Sequence, residues 1–597
     1  LNGGTPGRKN TLFTTSALNF NFKNVDVISA DSIRIEFVKR LDTASVQASD
    51  FFISDEIGAP QELIIENDQT LLLKLGSNLT PNTVYTLTAF QTFTDCAGFM
   101  PVENLEQQIM YYIPQLYDIV INEMMVDESP SVLLPPTEYI ELYNRNSFPV
   151  FLRDYRLIVN NTTVLLPAAT IQPDSFVVLV RDVWVQEFQG LPVVGLSSWP
   201  SLTNTGSTVT IRDRKGKLLH SISYTDKWYK HPSKKDGGWS LEQIDVSKPC
   251  LGIDNWMASQ DIKGGTPGKT NSVKSIIADT TAPYVYGVGV PNSDTIFVYF
   301  REAVLPSTVL PEYFTIEPDL GNPVSAVLIE PSLTRLALKT SSPLSHDQIY
   351  SLKIAGPISD CSSNLLITDT FYLGLPNLVQ ANEVVINEVL FDPPQDGIDY
   401  VEIYNRSESI VDLNDIFIGS GDTVTGFVSD TRRIIPTSLL LLPGQYCLIS
   451  ADMDKVLQFY STKNIKSFIN IVSLPSYSNT LGTVTLSDIS LQVIDWLNYS
   501  DSWHFPLLNS KDGVSLERVN PDASTQDKTN WHSAAQTVGF GTPGYKNSQW
   551  VNVPSIADRF KITPEVFSPD QDGWDDLLII QYNLSEPGFM ATIKVYD

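Results

Sequence analysis

Along most of the chain, apolar and polar positions alternate over short runs, and few stretches place apolar residues at helical spacing. Ser32 to Phe37 and Thr295 to Phe300 are rich in β-branched and aromatic residues over a strand's length. Tyr139 to Tyr143 and Tyr400 to Tyr404 alternate with period two, which predicts strands with one buried and one wet face. Val183 to Phe188 and Met453 to Tyr460 are the expected short helices. Short strands with a turn signal every ~8–12 residues predict an all-β chain, a tandem string of immunoglobulin-like β-sandwich domains.

The chain repeats itself. Gly4-Thr5-Pro6-Gly7-Arg8-Lys9-Asn10 recurs as Gly265-Thr266-Pro267-Gly268-Lys269-Thr270-Asn271 and as Gly541-Thr542-Pro543-Gly544-Tyr545-Lys546-Asn547, at intervals of 261 and 276 residues. Such a period is too long for a solenoid and fits a two-domain unit on a string. In the short half, residues 11–115 pair with 276–378: Tyr85-Thr86-Leu87 leading to Asp95-Cys96 matches Tyr350-Ser351-Leu352 leading to Asp360-Cys361. In the long half, residues 116–275 pair with 379–549. There Ile121-Asn122-Glu123 matches Ile386-Asn387-Glu388, and Glu138-Tyr139-Ile140-Glu141-Leu142-Tyr143-Asn144 matches Asp399-Tyr400-Val401-Glu402-Ile403-Tyr404-Asn405. Ser240-Leu241-Glu242 likewise matches Ser515-Leu516-Glu517, and Asn255-Trp256 matches Asn530-Trp531. Residues 1–10 are expected to be the tail of a preceding long domain and 550–597 the start of a further sandwich, making the chain a piece of something longer.

The long halves resemble the lamin-tail domain family through Ile-Asn-Glu, Glu-Tyr-Ile-Glu-Leu-Tyr-Asn, Ser-Leu-Glu, Asn-Trp and the closing Gly-Thr-Pro-Gly-x-x-Asn. The short halves resemble bacterial Ig-like domains of surface-layer and adhesin proteins through Tyr-x-Leu followed by Asp-Cys. The last stretch, with Phe567-Ser568-Pro569-Asp570-Gln571-Asp572-Gly573, resembles the Ig-like domain of flagellar hook-capping proteins and type IX secretion cargo. Together these resemblances imply a large secreted or surface-anchored protein of Gram-negative bacteria that uses type IX secretion, with protein partners at the cell surface, among them secretion or outer-membrane components.

With 597 residues, length alone predicts about three to six domains. A net charge of -28 excludes nucleic-acid binding over the whole surface, and no apolar run is long enough for a membrane span. Charge is unevenly distributed: -6, -1, -6, -10 and -5 over residues 1–115, 116–275, 276–378, 379–549 and 550–597. The near-neutral module owes its charge to Arg212, Arg214, Lys215, Lys217, Lys227, Lys230, Lys234 and Lys235, which surround Trp228 and face only Asp213 and Asp226 in the same stretch. Its sister has a single lysine there, Lys511, so the fold does not require the basic stretch. Two readings are open: a docking site for an acidic partner, polysaccharide or nucleic acid, and a solvated hairpin.

Chemistry is sparse. Glu138 and Glu141 are three apart on a strand, so their side chains leave opposite faces and cannot form a hydrolytic pair; they read as strand and edge residues that keep the fold soluble or hydrogen-bond a loop. The five histidines have no zinc spacing, and no nucleophile elbow or phosphate loop occurs. Asp570, Asp572, Asp575 and Asp576 around Gly573 are the candidate metal site, for calcium, against a turn in which they bond their own backbone. Each of the four near-complete domains has one cysteine, read as a small buried hydrophobe, with a bridge between domains as the alternative. The leading expectation is a non-catalytic extracellular spacer, scaffold or adhesin-like docking protein. The alternatives are a carbohydrate or polyanion receptor, and accessory modules of an enzyme whose catalytic domain lies outside these residues.

Overall fold

A computed structural model describes residues 20–550 apart from 347, 423–427 and 507, and beyond them 560–564, 567 and 577–582. The chain divides into two compact units, Leu1–Pro249 with Ile253–Ile276, and Cys250–Gly252 with Ile277–Asp597.

In the first unit the short module is a sandwich. One sheet has the strand order Phe22–Ser29, Ser32–Phe37, Thr70–Lys74, Glu62–Asn67, and the other Phe51–Ile53, Val84–Ala89, Leu105–Met110. Alternation along these strands aims Ile33, Ile35, Leu71, Leu73 and Leu87 inward, around Phe93, whose ring meets Phe37 and Phe51 at 5.7 Å. The long module opposes a six-stranded sheet (Val193–Leu196, Phe176–Arg181, Tyr139–Asn144, Ile119–Met125, Leu241–Gln243, Trp256–Ala258) to a four-stranded one (Thr162–Leu165, Arg156–Val159, Gly206–Arg212, Leu218–Thr225). Trp256 is fully buried between them.

The second unit repeats both architectures. Its long module has the six-strand order Phe468–Asn470, Tyr446–Ser450, Tyr400–Asn405, Val384–Leu390, Leu516–Arg518, Trp531–Ser533, strand for strand the order seen in the first unit. The outer strand of each six-stranded sheet joins in parallel, which requires a crossover connection. A 3-10 helix, Asp182–Phe188, lies on that connection in one copy, and an α-helix, Met453–Phe459, in the other. Asp452 caps the α-helix by accepting from the Lys455 N–H at 3.3 Å. Of residues 550–597, the described part contains one antiparallel pair, Phe560–Thr563 with Ile579–Tyr582.

One expectation from alternation does not hold. Tyr139–Asn144 and Tyr400–Asn405 are buried on both faces, with only Tyr143 and Tyr404 partly exposed. Ile140 and Leu142 face the apolar core as the period-two pattern requires. The opposite face carries Glu141 and is covered by the Gly-Thr-Pro-Gly loop, so polar residues there are buried rather than wet.

Candidate functional site

In each long module the covered face holds three carboxylates in a row across adjacent strands. Glu141, Glu123 and Glu242 are direct cross-strand neighbours in the first unit, and Glu402, Glu388 and Glu517 in the second. All six are fully buried. Three adjacent buried carboxylates are tolerable only if hydrogen-bonded and partly protonated.

The repeated loop supplies the donors. Glu123 accepts from the Tyr139 hydroxyl at 2.5 Å, the Ser240 hydroxyl at 2.7 Å, the Thr266 N–H at 2.7 Å and the Thr266 hydroxyl at 3.0 Å. Glu242 accepts from the Thr266 hydroxyl at 3.0 Å and the Ser272 hydroxyl at 2.7 Å. Glu141 accepts from the Asn122 amide at 2.7 Å and the Gly268 N–H at 2.5 Å. Asn271 closes the loop by donating to the Asn122 and Gln243 carbonyls. Every one of these contacts recurs in the second unit through Glu388, Glu402, Glu517, Tyr400, Ser515, Asn387, Thr542, Gly544, Asn547 and Ser548.

This geometry explains the residues of the motif. A Cβ at Gly265 would lie 2.5 Å from the Tyr139 hydroxyl and 2.7 Å from Glu123. Gly268 has φ +73 and Gly544 φ +84, a left-handed conformation that aims their N–H groups at the carboxylates. The threonine supplies a hydroxyl within hydrogen-bond distance of two carboxylates. Burial, together with the neighbouring carboxylates, raises Glu123 and Glu517 to about 7 and lifts Glu141 and Glu402 well above the usual carboxylate range. Glu138, on the opposite face from Glu141, accepts from the Trp199 indole and the Leu202 N–H.

The two modules differ beside the row. In the first, the buried His220 accepts from the Ile121 N–H at 2.9 Å and is held neutral, its pKa pushed down to about 4 by burial. In the second, Asp495 accepts from the corresponding Ile386 N–H and pairs with Arg518 at 3.3 Å. Gln243 stands where Arg518 does, so the partner changes together with the acid.

The basic residues do not form one exposed patch. Arg214 donates to Asp26 of the short module at 2.9 and 3.2 Å, and Arg153 to Glu36 at 3.2 Å. Lys217 donates to the Pro114 carbonyl at 2.6 Å, Arg212 to the Gly216 carbonyl at 3.0 Å and Lys230 to the Asp254 carbonyl at 3.4 Å. Lys234 lies 4.0 Å from the Trp239 ring centroid and donates to Ser259, and Lys235 lies 3.8 Å from Asp226. Lys215 is exposed, Lys227 is engaged in a contact of its own, and Trp228 is a buried core residue against Trp256. The charge anomaly of this module is thus in part an adhesive between the two modules of its unit. Ile489 and Asn414 replace Arg214 and Arg153 in the second unit. There the modules meet through a different ion pair, Lys466 with Asp369, and through neutral groups, with the Tyr299 hydroxyl donating to the Ser438 carbonyl and the Ser438 hydroxyl accepting from the Val290 N–H.

Because Asp26 is 4% exposed at its side chain, Arg214→Ala is expected to cost about 1–2 kcal/mol by leaving a buried carboxylate unpaired. Faster amide exchange in Phe22–Ser29 is the readout, and unchanged exchange would show that the pair is only decorative.

Asp570, Asp572, Asp575 and Asp576 lie outside the described residues. Among the described residues no group of three or more His, Cys, Asp or Glu side chains has metal-holding geometry. The reading of the cysteines as small buried hydrophobes needs correction at three positions, Cys96, Cys250 and Cys361. Cys250 and Cys361 form a disulfide with Cα atoms 5.9 Å apart, while Cys447 is a buried free thiol and Cys96 an exposed one. Counting cysteines within each domain hides a partner 111 residues away in the following module.

The sheet orders and the carboxylate rows define a string of β-sandwich domains. A lamin tail domain matches residues 114–226, and bacterial Ig-like domains match residues 14–109 and 274–372. No curated protein matches the chain. Among solved structures, the chain is similar to the N-terminal part of the bacterial S-layer protein SbsC at 14% identity, covering 35% of this chain and 44% of that one, with a TM-score of 0.18. It is also similar to a DUF4876 family protein from Bacteroides thetaiotaomicron (12% identity, 42% and 96% covered, TM-score 0.16) and to the BSP domain of a biofilm associated protein (8%, 81% and 95%, TM-score 0.14).

Proposed function

We propose that the chain is a non-catalytic part of an extracellular surface protein, a spacer and docking scaffold exported by type IX secretion. The observation that carries this reading is the commitment of the carboxylates. The two repeated acidic clusters that could have served hydrolysis are buried beneath a loop of their own module, in both copies, with hydroxyl and N–H donors bound to each cluster. They close a fold rather than meet a substrate. The Cys250–Cys361 bridge supports an oxidising compartment, since such bonds are rare in a reducing cytosol. No helix among the described residues is long and apolar enough to cross a membrane.

The test is labelling of intact cells with a membrane-impermeant amine reagent, followed by thiol trapping. The expected outcome is a labelled chain with Cys250 and Cys361 oxidised. An unlabelled chain with both thiols reduced would overturn the reading.

A further inference from the structure

We propose that Cys96 is the receiving half of a second inter-domain disulfide, pairing with the cysteine of a lamin tail domain that precedes it in the full polypeptide. Cys96 and Cys361 occupy the same loop of their respective short modules. In each, an aspartate folds the loop by accepting from the N–H groups two and four residues later: Asp95 from Ala97 and Phe99, Asp360 from Ser362 and Asn364. The cysteine after that aspartate is bonded to Cys250 in one copy and is an exposed free thiol in the other.

The donor side follows the same rule. Cys250 stands fifteen residues ahead of Gly265, the first residue of the closing Gly-Thr-Pro-Gly. At the corresponding place before Trp531 the second long module has Thr525. Where a short module follows in this chain, the long module ahead of it carries the cysteine that the Asp-Cys loop receives. Cys96 is a receiver, and Gly4-Thr5-Pro6-Gly7 ahead of it is the closing motif of such a domain.

Forming the bond removes a proton and an electron from each of the two thiols. The electron pair reduces the disulfide of an envelope dithiol oxidase, or of oxidised glutathione in vitro, to two thiols. The proposal rests on the extracellular reading above.

The experiment is disulfide mapping of the native protein from its source cells, alkylated before lysis and digested without reduction. The 597-residue chain, in which maleimide is expected to label Cys96 and not Cys447, serves as the reference. The expected result is a Cys96 peptide bonded to a peptide whose cysteine precedes a Gly-Thr-Pro-Gly, in a protein that runs as a monomer without reductant. A covalent dimer abolished by Cys96→Ser would overturn the intramolecular pairing, as would Cys96 recovered alkylated or capped only by a small thiol. Were Cys96 free while Cys250–Cys361 is intact, this proposal alone would fail; were all of them reduced, the extracellular reading would fail with it.

Discussion

Glu388→Ala is expected to destabilise the second long module by about 3–5 kcal/mol, although the residue touches no solvent and no ligand. Truncation leaves the Tyr400 hydroxyl and the Thr542 N–H without their acceptor, while the Thr542 hydroxyl keeps only Glu517 and the Ser515 hydroxyl only the Phe540 carbonyl at 3.3 Å. Each buried donor left unsatisfied costs about 1–3 kcal/mol, and relaxation with entry of water would recover part of the sum. Loss of loop docking follows, because Thr542 is the residue through which the loop also reaches Glu517. The chain has several domains, so one melting temperature would not report on one module. Native-state amide exchange of Val384–Leu390 and Tyr400–Asn405 isolates the effect, with Ile119–Met125 as an internal reference. Glu123→Ala should reverse the pattern. A loss under about 1 kcal/mol in both variants would mean that the carboxylates are bystanders to the loop.

The fold was legible because it is written in alternation and repetition. Ser32–Phe37 and Thr295–Phe300 are strands with the bounds that their β-branched runs imply, and Asp182–Phe188 and Met453–Phe459 are the short helices. The landmark residues of the long modules were also visible as five separate motifs. That they form one network was not, because it joins residues up to 160 positions apart, as Asn387 and Asn547 are. Period-two alternation says which residues share a face but not what covers that face. Glu141 therefore read as a residue that keeps a strand soluble or bonds a loop, and only the second half of that reading matches its contact with Gly268. The basic stretch shows the same limit. Net charge located it, but Arg214 and Asp26 are 188 residues apart, and nothing local tells a docking patch from an internal ion pair.

The long modules are expected to gain stability as pH falls from about 8 to about 6.5, on the order of 2–4 kcal/mol in the second, contrary to the behaviour of ordinary paired carboxylates. Each carboxyl whose folded pKa lies above its unfolded value binds a proton more tightly when folded. Its stabilising share is complete below the unfolded pKa and is lost as pH rises through the folded one. Glu402, lifted well above the usual range, and Glu517, raised to about 7, change occupancy relative to the unfolded chain throughout this window, at about 1.4 kcal/mol per unit for a full proton. The groups around the row sharpen the effect rather than cancel it: Tyr400, Tyr460 and Tyr545 stay neutral, and Arg518 is engaged with Asp495. Histidines work in the opposite sense at lower pH. Burial depresses His504 to about 4, as it does His220 in the first module, so both resist protonation while folded and withdraw stability below about pH 6.5. With two raised carboxyls in each row, the histidine lessens the gain below about pH 6.5 without reversing it before the unfolded carboxylate range near 4.5 is reached. Amide exchange corrected for intrinsic rates, or denaturant midpoints at fixed ionic strength, will show it. Glu402→Gln retains an acceptor for the Asn387 amide or the Gly544 N–H and cannot titrate, so it should flatten the slope while leaving stability at pH 6 nearly unchanged. A slope of the opposite sign in the unaltered chain would mean that the row is ionised in the fold, with its charge compensated by something other than protons.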